Sequence, residues 1–207
     1  MPTRKYALER NEMQRLEISW KSMWKNISIR LDGKAIGSIV NQKELIEGRE
    51  FSLGDGSILK VKLIHGFVPE LQVAKNGQPL PGSDSDPSQR LSIAYKMVLF
   101  IGWLNITLGL SAEILKVGFL QRFGFSFGSI IVGLIFLILG FFVKRESKYA
   151  LLIAIALFLS DGILAAFFLP EQARNYITGG IVARIFILMP MIQGVSAIRD
   201  IKKTAIP

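Results

Sequence analysis

The amino-acid sequence changes character near Pro87. Residues 1 to 87 mix charged and apolar side chains as a water-soluble protein does, whereas long uncharged apolar runs dominate from Leu91 onward. An α-helix crosses ~30 Å of hydrocarbon with about 20 apolar residues and satisfies its own backbone hydrogen bonds. The sequence therefore predicts a membrane α+β protein, in which a strand-forming domain precedes membrane helices.

The soluble half shows period-2 alternation broken by turn dipeptides. Leu16, Ile18 and Trp20 alternate with polar residues, and the dipeptides Asp32-Gly33 and Asn76-Gly77 favour tight hairpins. These signals predict a cytosolic antiparallel β-sandwich or partly open barrel over residues 15–81. Residues 1–14 are polar, and we expect a short amphipathic helix or disorder there. Because this segment has no apolar core, no cleavable signal peptide is expected.

Two turn motifs carry a resemblance to a known family. The stretches GREFSLGDGS (residues 48–57) and LQVAKNGQPLP (residues 71–81) resemble the β domains of the Fas apoptosis inhibitory molecule family, over roughly residues 24–81. That resemblance implies a protein-binding β-sandwich without catalytic residues. The whole chain is also similar to uncharacterised bacterial four-span membrane proteins that carry such a domain, and this likeness implies no activity.

The second half predicts a four-helix transmembrane bundle. A Pro/Gly/Ser/Asp linker at 82–91 leads to a membrane domain at 92–198, followed by a cytosolic tail at 199–207. The expected spans are 92–112, 123–143, 149–169 and 177–197. Basic residues gather in the loop 144–148 and in the tail, so the positive-inside rule places the β domain and both termini in the cytoplasm. We expect a multi-pass protein of a bacterial inner membrane.

Four polar residues fall in one layer of the predicted bundle. Asp161 and Arg184 are the lone charges of their spans, and with Asn105 and Ser129 they lie ~9–12 Å inside the outer helix ends at ~1.5 Å per residue. Small residues share their helix faces, which favours close helix packing. We expect an Asp161–Arg184 pair near the centre of a compact bundle, fenced by Asn105 and Ser129. Pro190 is expected to kink the fourth span.

Three interpretations of this layer stay open. An ion pair can fix which helices meet, whatever net stability it adds. Intramembrane charges can also bind a polar ligand or line an ion path, and a channel of four-span subunits would need an oligomer. An enzyme is not expected, because the chain has no cysteine and its single histidine, His65, reads as a strand-end residue. The sequence predicts no cofactor and no metal site.

The leading functional hypothesis is a membrane-anchored binding or scaffold protein. Its expected partners are membrane lipid, an unidentified protein and possibly further copies of the chain. The sequence pI is 9.9, but its basic residues form no dense run with aromatics, so nucleic acid is not expected. Trp20 and Trp24 are either anchors of the β core or a binding surface. The alternative is a small oligomeric channel or transporter that uses the Asn105, Asp161 and Arg184 layer.

Overall fold

The chain divides into two compact units. The computed structural model describes residues 1–64, 69–122, 125–168 and 177–204. The first unit comprises Met1–Gln89 and the second Arg90–Pro207. The first consists of antiparallel strands with one short helix, and the second consists of helices.

The first unit begins with a four-stranded antiparallel sheet in sequence order. Its strands are β1 (Thr3–Ala7), β2 (Gln14–Lys21), β3 (Lys25–Leu31) and β4 (Lys34–Ile39). β3 and β4 join through Asp32 and Gly33, which have φ values of 51° and 78°. Two consecutive left-handed residues form the turn whose twist matches the flanking strands. The Asp32-Gly33 hairpin signal therefore has the expected structural consequence.

A second four-stranded antiparallel sheet follows a short helix. The helix α1 (Gln42–Glu47) is capped by the Asn41 side chain, which accepts from the Glu44 backbone N–H at 2.9 Å. The strands are β5 (Arg49–Ser52), β6 (Ile58–Ile64), β7 (Glu70–Lys75) and β8 (Gln78–Pro79). The Asn76-Gly77 turn between β7 and β8 again has two positive φ values.

Both sheets contribute to one buried apolar cluster. Alternate residues of each strand face it, as period-2 patterning requires. Fully buried members come from the first sheet, from α1 and from the second sheet: Leu16, Ile18, Ile29, Leu45, Leu59, Val61, Leu71 and Val73. Gly37 of β4 leaves space that the Phe51 ring of β5 occupies, since a β-carbon there would collide with the ring.

The structure differs from expectation at both ends of this unit. Residues 3–7 form β1, not a helix or a disordered segment, because Tyr6 and Leu8 alternate into the core as strand residues. The segment predicted as a plain linker, 82–91, begins with hydrogen-bonded turns. There the Asp84 carboxylate accepts from Arg4 Nη1 at 2.7 Å and from the Leu71 N–H at 3.0 Å. An acidic linker can therefore fold back onto its domain.

Five helices follow. They are α2 (Pro87–Ile114), α3 (Gly118–Arg122), α4 (Phe127–Lys144), α5 (Lys148–Phe168) and α6 (Ile177–Thr204). Among the described residues, α2, α4 and the Val182–Lys203 part of α6 are long and apolar enough to cross a membrane. Pro190 lies inside α6, and the predicted tail at 199–207 begins as part of this helix.

The start of α2 precedes the predicted span by five residues. Asp86 accepts from the Ser88 backbone N–H at 3.0 Å, as a residue that caps a helix does. Pro87 then takes the first helical position, where its missing N–H costs nothing. Polar residues at 87–90 are therefore helical although they are too polar for a predicted span.

Glycines bring the long helices into backbone contact. Gly102 and Gly109 of α2 face α4, and Gly133 and Gly140 of α4 face α2. The α4 helix also packs against α5, and α5 packs against α6. Gly194 of α6 lies against Ala94 of α2. Small residues at helix crossings are typical of packing in membranes, because they let the backbones approach.

Candidate functional site

The two intramembrane charges are in contact. Arg184 Nη2 of α6 lies 2.9 Å from Asp161 Oδ2 of α5. Asp161 precedes the end of α5 by seven residues, and Arg184 follows the start of α6 by seven. At ~1.5 Å per residue, both lie ~10 Å from the helix ends that the 169–176 connection joins. The depth calculated from the sequence and this geometry agree.

Arg184 has two further contacts on α5. Its Nη1 donates to the Phe158 carbonyl oxygen at 3.1 Å, and its guanidinium carbon lies 5.2 Å from the centre of the Phe158 ring. A β-carbon on Gly162 would lie 2.6 Å from Nη1. Phe158 and Gly162 therefore complete the site, and sequence reasoning missed both. The available signal was a glycine beside the only charge of its span.

The pair is more open than predicted. The Arg184 side chain is 30% exposed and the Asp161 side chain is 60% exposed. The buried stripe of α5 runs through Ala150, Ala154 and Phe158 and ends there, one turn before Asp161. The carboxylate thus lies at the surface of the helical unit rather than near its centre. Its exposed oxygen can accept a proton, a cation or a hydrogen bond from outside the unit.

Asn105 and Ser129 use their hydrogen bonds within their own helices. Asn105 Nδ2 donates to the Ile101 carbonyl oxygen at 2.9 Å. Ser129 Oγ accepts from the Ser126 backbone N–H at 3.3 Å, in a capping box at the start of α4. Because α4 begins at Phe127, Ser129 lies only ~3 Å along the helix, not ~9 Å. No hydrogen bond joins either residue to the Asp161–Arg184 pair within the described chain.

Glu113 has a structural role that the sequence did not reveal. Its Oε1 accepts from the Phe127 backbone N–H at 3.0 Å, at the first residue of α4. The first N–H groups of a helix lack internal partners and carry partial positive charge, so an anion stabilises them. Near it, Gln121 Nε2 donates to the Ala112 carbonyl oxygen at 3.1 Å. The end of α2 therefore helps to define the start of α4.

In the first unit, the two tryptophans stack on each other. The ring centroids of Trp20 and Trp24 are 4.5 Å apart with an interplanar angle of 17°. Both are partly buried against the β core. The guanidinium carbon of Arg4 lies 5.9 Å from the Trp20 ring centre. The two sequence interpretations are therefore combined: these residues contact the core and also expose part of their surface.

A strained turn positions Trp24. Met23, Trp24 and Asn26 have φ values of 57°, 58° and 49°. Residues other than glycine rarely adopt this left-handed region, and each such residue costs of order 1–3 kcal/mol. Met23 at the centre of the turn is 77% exposed. The fold thus holds an apolar side chain in solvent at some cost in stability.

Metal and cofactor chemistry finds little support among the described residues. These contain no group of three or more His, Asp or Glu side chains that could hold a metal ion. His65 lies outside the residues that the structure describes.

Comparison with known proteins adds no identity. No protein-family model, no curated protein and no solved structure matches the chain.

Proposed function

We propose that the chain is a four-span membrane protein whose first unit is a β-sandwich acting as a binding module. The three helices that are long and apolar enough to cross a membrane support the anchor. The fourth span is α5, whose 21 residues cover ~30 Å. The contacts of α2 with α4, α4 with α5, α5 with α6 and α6 with α2 favour a four-helix bundle.

Loop charges favour a cytoplasmic position for the first unit. Lys144, Arg145 and Lys148 lie between α4 and α5, and Lys202 and Lys203 end α6. In the four-span topology these groups share the side of the first unit, and cytoplasmic loops carry such excess positive charge. A bacterial inner membrane fits this arrangement.

The observation that carries the binding role is the Trp20–Trp24 stack on its strained turn. A unit that served only to fold would not need left-handed Met23 and Trp24, with Met23 in solvent. Backbone strain that the surrounding fold maintains is typical of functional surfaces. Tethering such a surface to a bilayer raises its effective concentration toward anything at that bilayer.

Crosslinked affinity purification from native membranes tests this role. The full chain is compared with a variant lacking residues 1–86, which keeps α2 and all later helices. We expect a protein partner or a lipid class that the full chain retains and the shortened chain loses. Identical recovery of associated molecules from both chains would overturn the proposal.

A second candidate function rests on the exposed Asp161 carboxylate. A channel or transporter assembled from several copies could line its path with Asp161, while Arg184 is held by Phe158 and Gly162. Its test is flux of ions or small solutes through reconstituted protein, with Asp161→Asn as the variant and Ser160→Ala as the neighbouring control. Flux that persists unchanged in Asp161→Asn would exclude it.

A further inference from the structure

One end of the first sheet gathers apolar side chains in solvent. Met1, Met23 and Val40 are 74%, 77% and 64% exposed. Backbone hydrogen bonds bring their chain segments together, since the Trp20 N–H donates to the Pro2 carbonyl at 3.1 Å and the Asn26 N–H to the Val40 carbonyl at 3.1 Å. Three exposed apolar residues from three segments therefore meet at one sheet end, which we call the apolar rim.

Lysines surround this rim. Lys21 and Lys25 flank the turn, and they are direct cross-strand partners in the β2–β3 register. Like charges in directly opposite positions destabilise a sheet. Lys43 in the first turn of α1 is exposed nearby in sequence to Val40. Within the described part of the chain, none of these three lysines forms an ion pair.

The combination identifies a class of ligand. Exposed methionine and valine next to partly exposed tryptophan favour the boundary between water and acyl chains, where amphipathic rings concentrate. Lysines beside them favour anionic headgroups, at about 1 kcal/mol for each basic residue near such a surface. A neutral protein groove would account for the apolar side chains but leave the opposed Lys21 and Lys25 charges uncompensated.

The membrane is also within reach of this surface. Leu80 belongs to the buried core of the first unit, and α2 begins at Pro87, only seven residues later. We propose that the apolar rim, with Lys21, Lys25 and Lys43, docks on an anionic lipid leaflet. This inference rests on the proposed function, because it requires the helices of the second unit to hold the chain in a bilayer.

Docking explains the strain in the turn. Left-handed Met23 and Trp24 keep the Met23 side chain in solvent in the free unit. On the bilayer, the same conformation would place Met23 among acyl chains and its flanking lysines among phosphates. The strain is then a preorganisation for a lipid surface, and Arg4 with the two stacked rings supports the turn from behind.

Single-cysteine labelling tests the proposal directly, because the chain has no cysteine of its own. Spin labels are attached to Met23→Cys and, as a matched control, to Met13→Cys in the full chain. Met13 is 85% exposed and precedes β2, at the end opposite to Met23. Each protein is reconstituted in nanodiscs of phosphatidylcholine alone or of an equal mixture with phosphatidylglycerol.

Accessibility to oxygen and to a water-soluble nickel chelate then reports immersion. We expect the label at position 23 to gain oxygen contact and lose nickel contact in anionic discs only, and the label at position 13 to stay in water. Raising the salt concentration should reverse the change, since screening weakens surface charge. Substituting Lys21→Gln and Lys25→Gln together should reduce the docking equilibrium about thirtyfold, at about fivefold for each ~1 kcal/mol.

A label at position 23 that is as water-accessible as that at position 13 in anionic discs would overturn the inference. Loss of a protein partner on deletion of residues 1–86 would, in that case, still support the proposed function. Docking that persists without Lys21 and Lys25 at high salt would also overturn it, because the lysine contacts would then be irrelevant.

Discussion

Gly102 of α2 and Gly133 of α4 face each other so closely that neither position has space for a side chain. A β-carbon on Gly102 would lie 2.9 Å from the Gly133 carbonyl oxygen, and one on Gly133 would lie 2.7 Å from the Gly102 carbonyl oxygen. Both obstacles are backbone atoms, so no side chain can rotate away. Gly109 and Gly140, each seven residues further along its helix, extend the contact.

We therefore expect Gly133→Ala to separate α2 from α4 and to destabilise the folded second unit by about 1–3 kcal/mol, as overpacking does. Gly128→Ala on the same helix is the matched control. There the nearest atom to a new β-carbon is Ser126 Oγ at an ordinary 3.6 Å, and alanine favours the helix. Thermal unfolding in mild detergent compares the two. Equal midpoints for the two variants would contradict the close contact.

The seat of Arg184 predicts a specific loss at Gly162. A methyl group at position 162 would occupy the place of the guanidinium, so Gly162→Ala should displace Arg184 from Asp161 and from the Phe158 carbonyl. We expect reduced accumulation of folded protein in membranes, measured by fluorescence-detected size exclusion. Ser160→Ala, which removes only a hydroxyl bonded to the Ala156 carbonyl of its own helix, should accumulate normally.

A double-mutant cycle separates the structural role of the Asp161–Arg184 pair from a role in transport. If the pair only fixes helix contacts, Asp161→Asn and Arg184→Gln should each lower accumulation, and the double variant should recover most of it. An unpaired charge between apolar helices is costlier than two neutral amides. A double variant that is as poor as the worse single variant would contradict the structural role.

The sequence predicts those features that depend on local chemistry. Asn76-Gly77 and Asp32-Gly33 form tight hairpins because asparagine, aspartate and glycine tolerate positive φ. Asp161 and Arg184 meet because both lie at equal depth on faces with small neighbours. Features that depend on distant partners are not visible in this way. The cap that Glu113 provides to α4, and the seat that Gly162 provides to Arg184, require the tertiary packing to be known.

Helix ends were also misplaced for a physical reason. The predicted spans follow apolar runs, whereas the helices follow their caps. α2 therefore starts at Pro87 behind Asp86, and α4 starts at Phe127 behind Ser126. Ser129 consequently belongs to a cap and not to the polar layer.

The strand at the N-terminus predicts a large effect of Tyr6. Its side chain is 3% exposed and belongs to the core, whereas that of Lys5 is 54% exposed and pairs with Glu17. We expect Tyr6→Ala to destabilise the first unit by about 3 kcal/mol or more, as truncation of a buried aromatic does. Lys5→Ala should cost about 1 kcal/mol or less, because a surface ion pair contributes little. Chemical unfolding followed by tryptophan fluorescence measures both, and similar losses would contradict a core role for β1.

Asp55 predicts a loss of stability in acid. The Ser57 hydroxyl donates to Asp55 Oδ1 at 2.5 Å and the Ser57 backbone N–H at 3.0 Å, and Lys75 Nζ lies 3.2 Å from Oδ2. These contacts, the hydroxyl first, favour the ionised carboxylate and lower the pKa of Asp55 from 3.8 to about 2. A folded-state pKa below the unfolded value means that the contribution is complete above about pH 4 and is lost as the pH falls toward 2.

Carbon-detected NMR of the labelled Asp55 carboxyl in the full chain follows this titration. We expect a midpoint near the value of about 2 in the native protein. In Ser57→Ala the pKa should rise toward 3.8, because the hydroxyl bond is the largest cause of the shift. Asp55→Asn should remove this part of the pH dependence of unfolding between pH 4 and pH 2. An Asp55 midpoint that Ser57→Ala leaves unchanged would show that Lys75, and not the turn, controls the carboxylate.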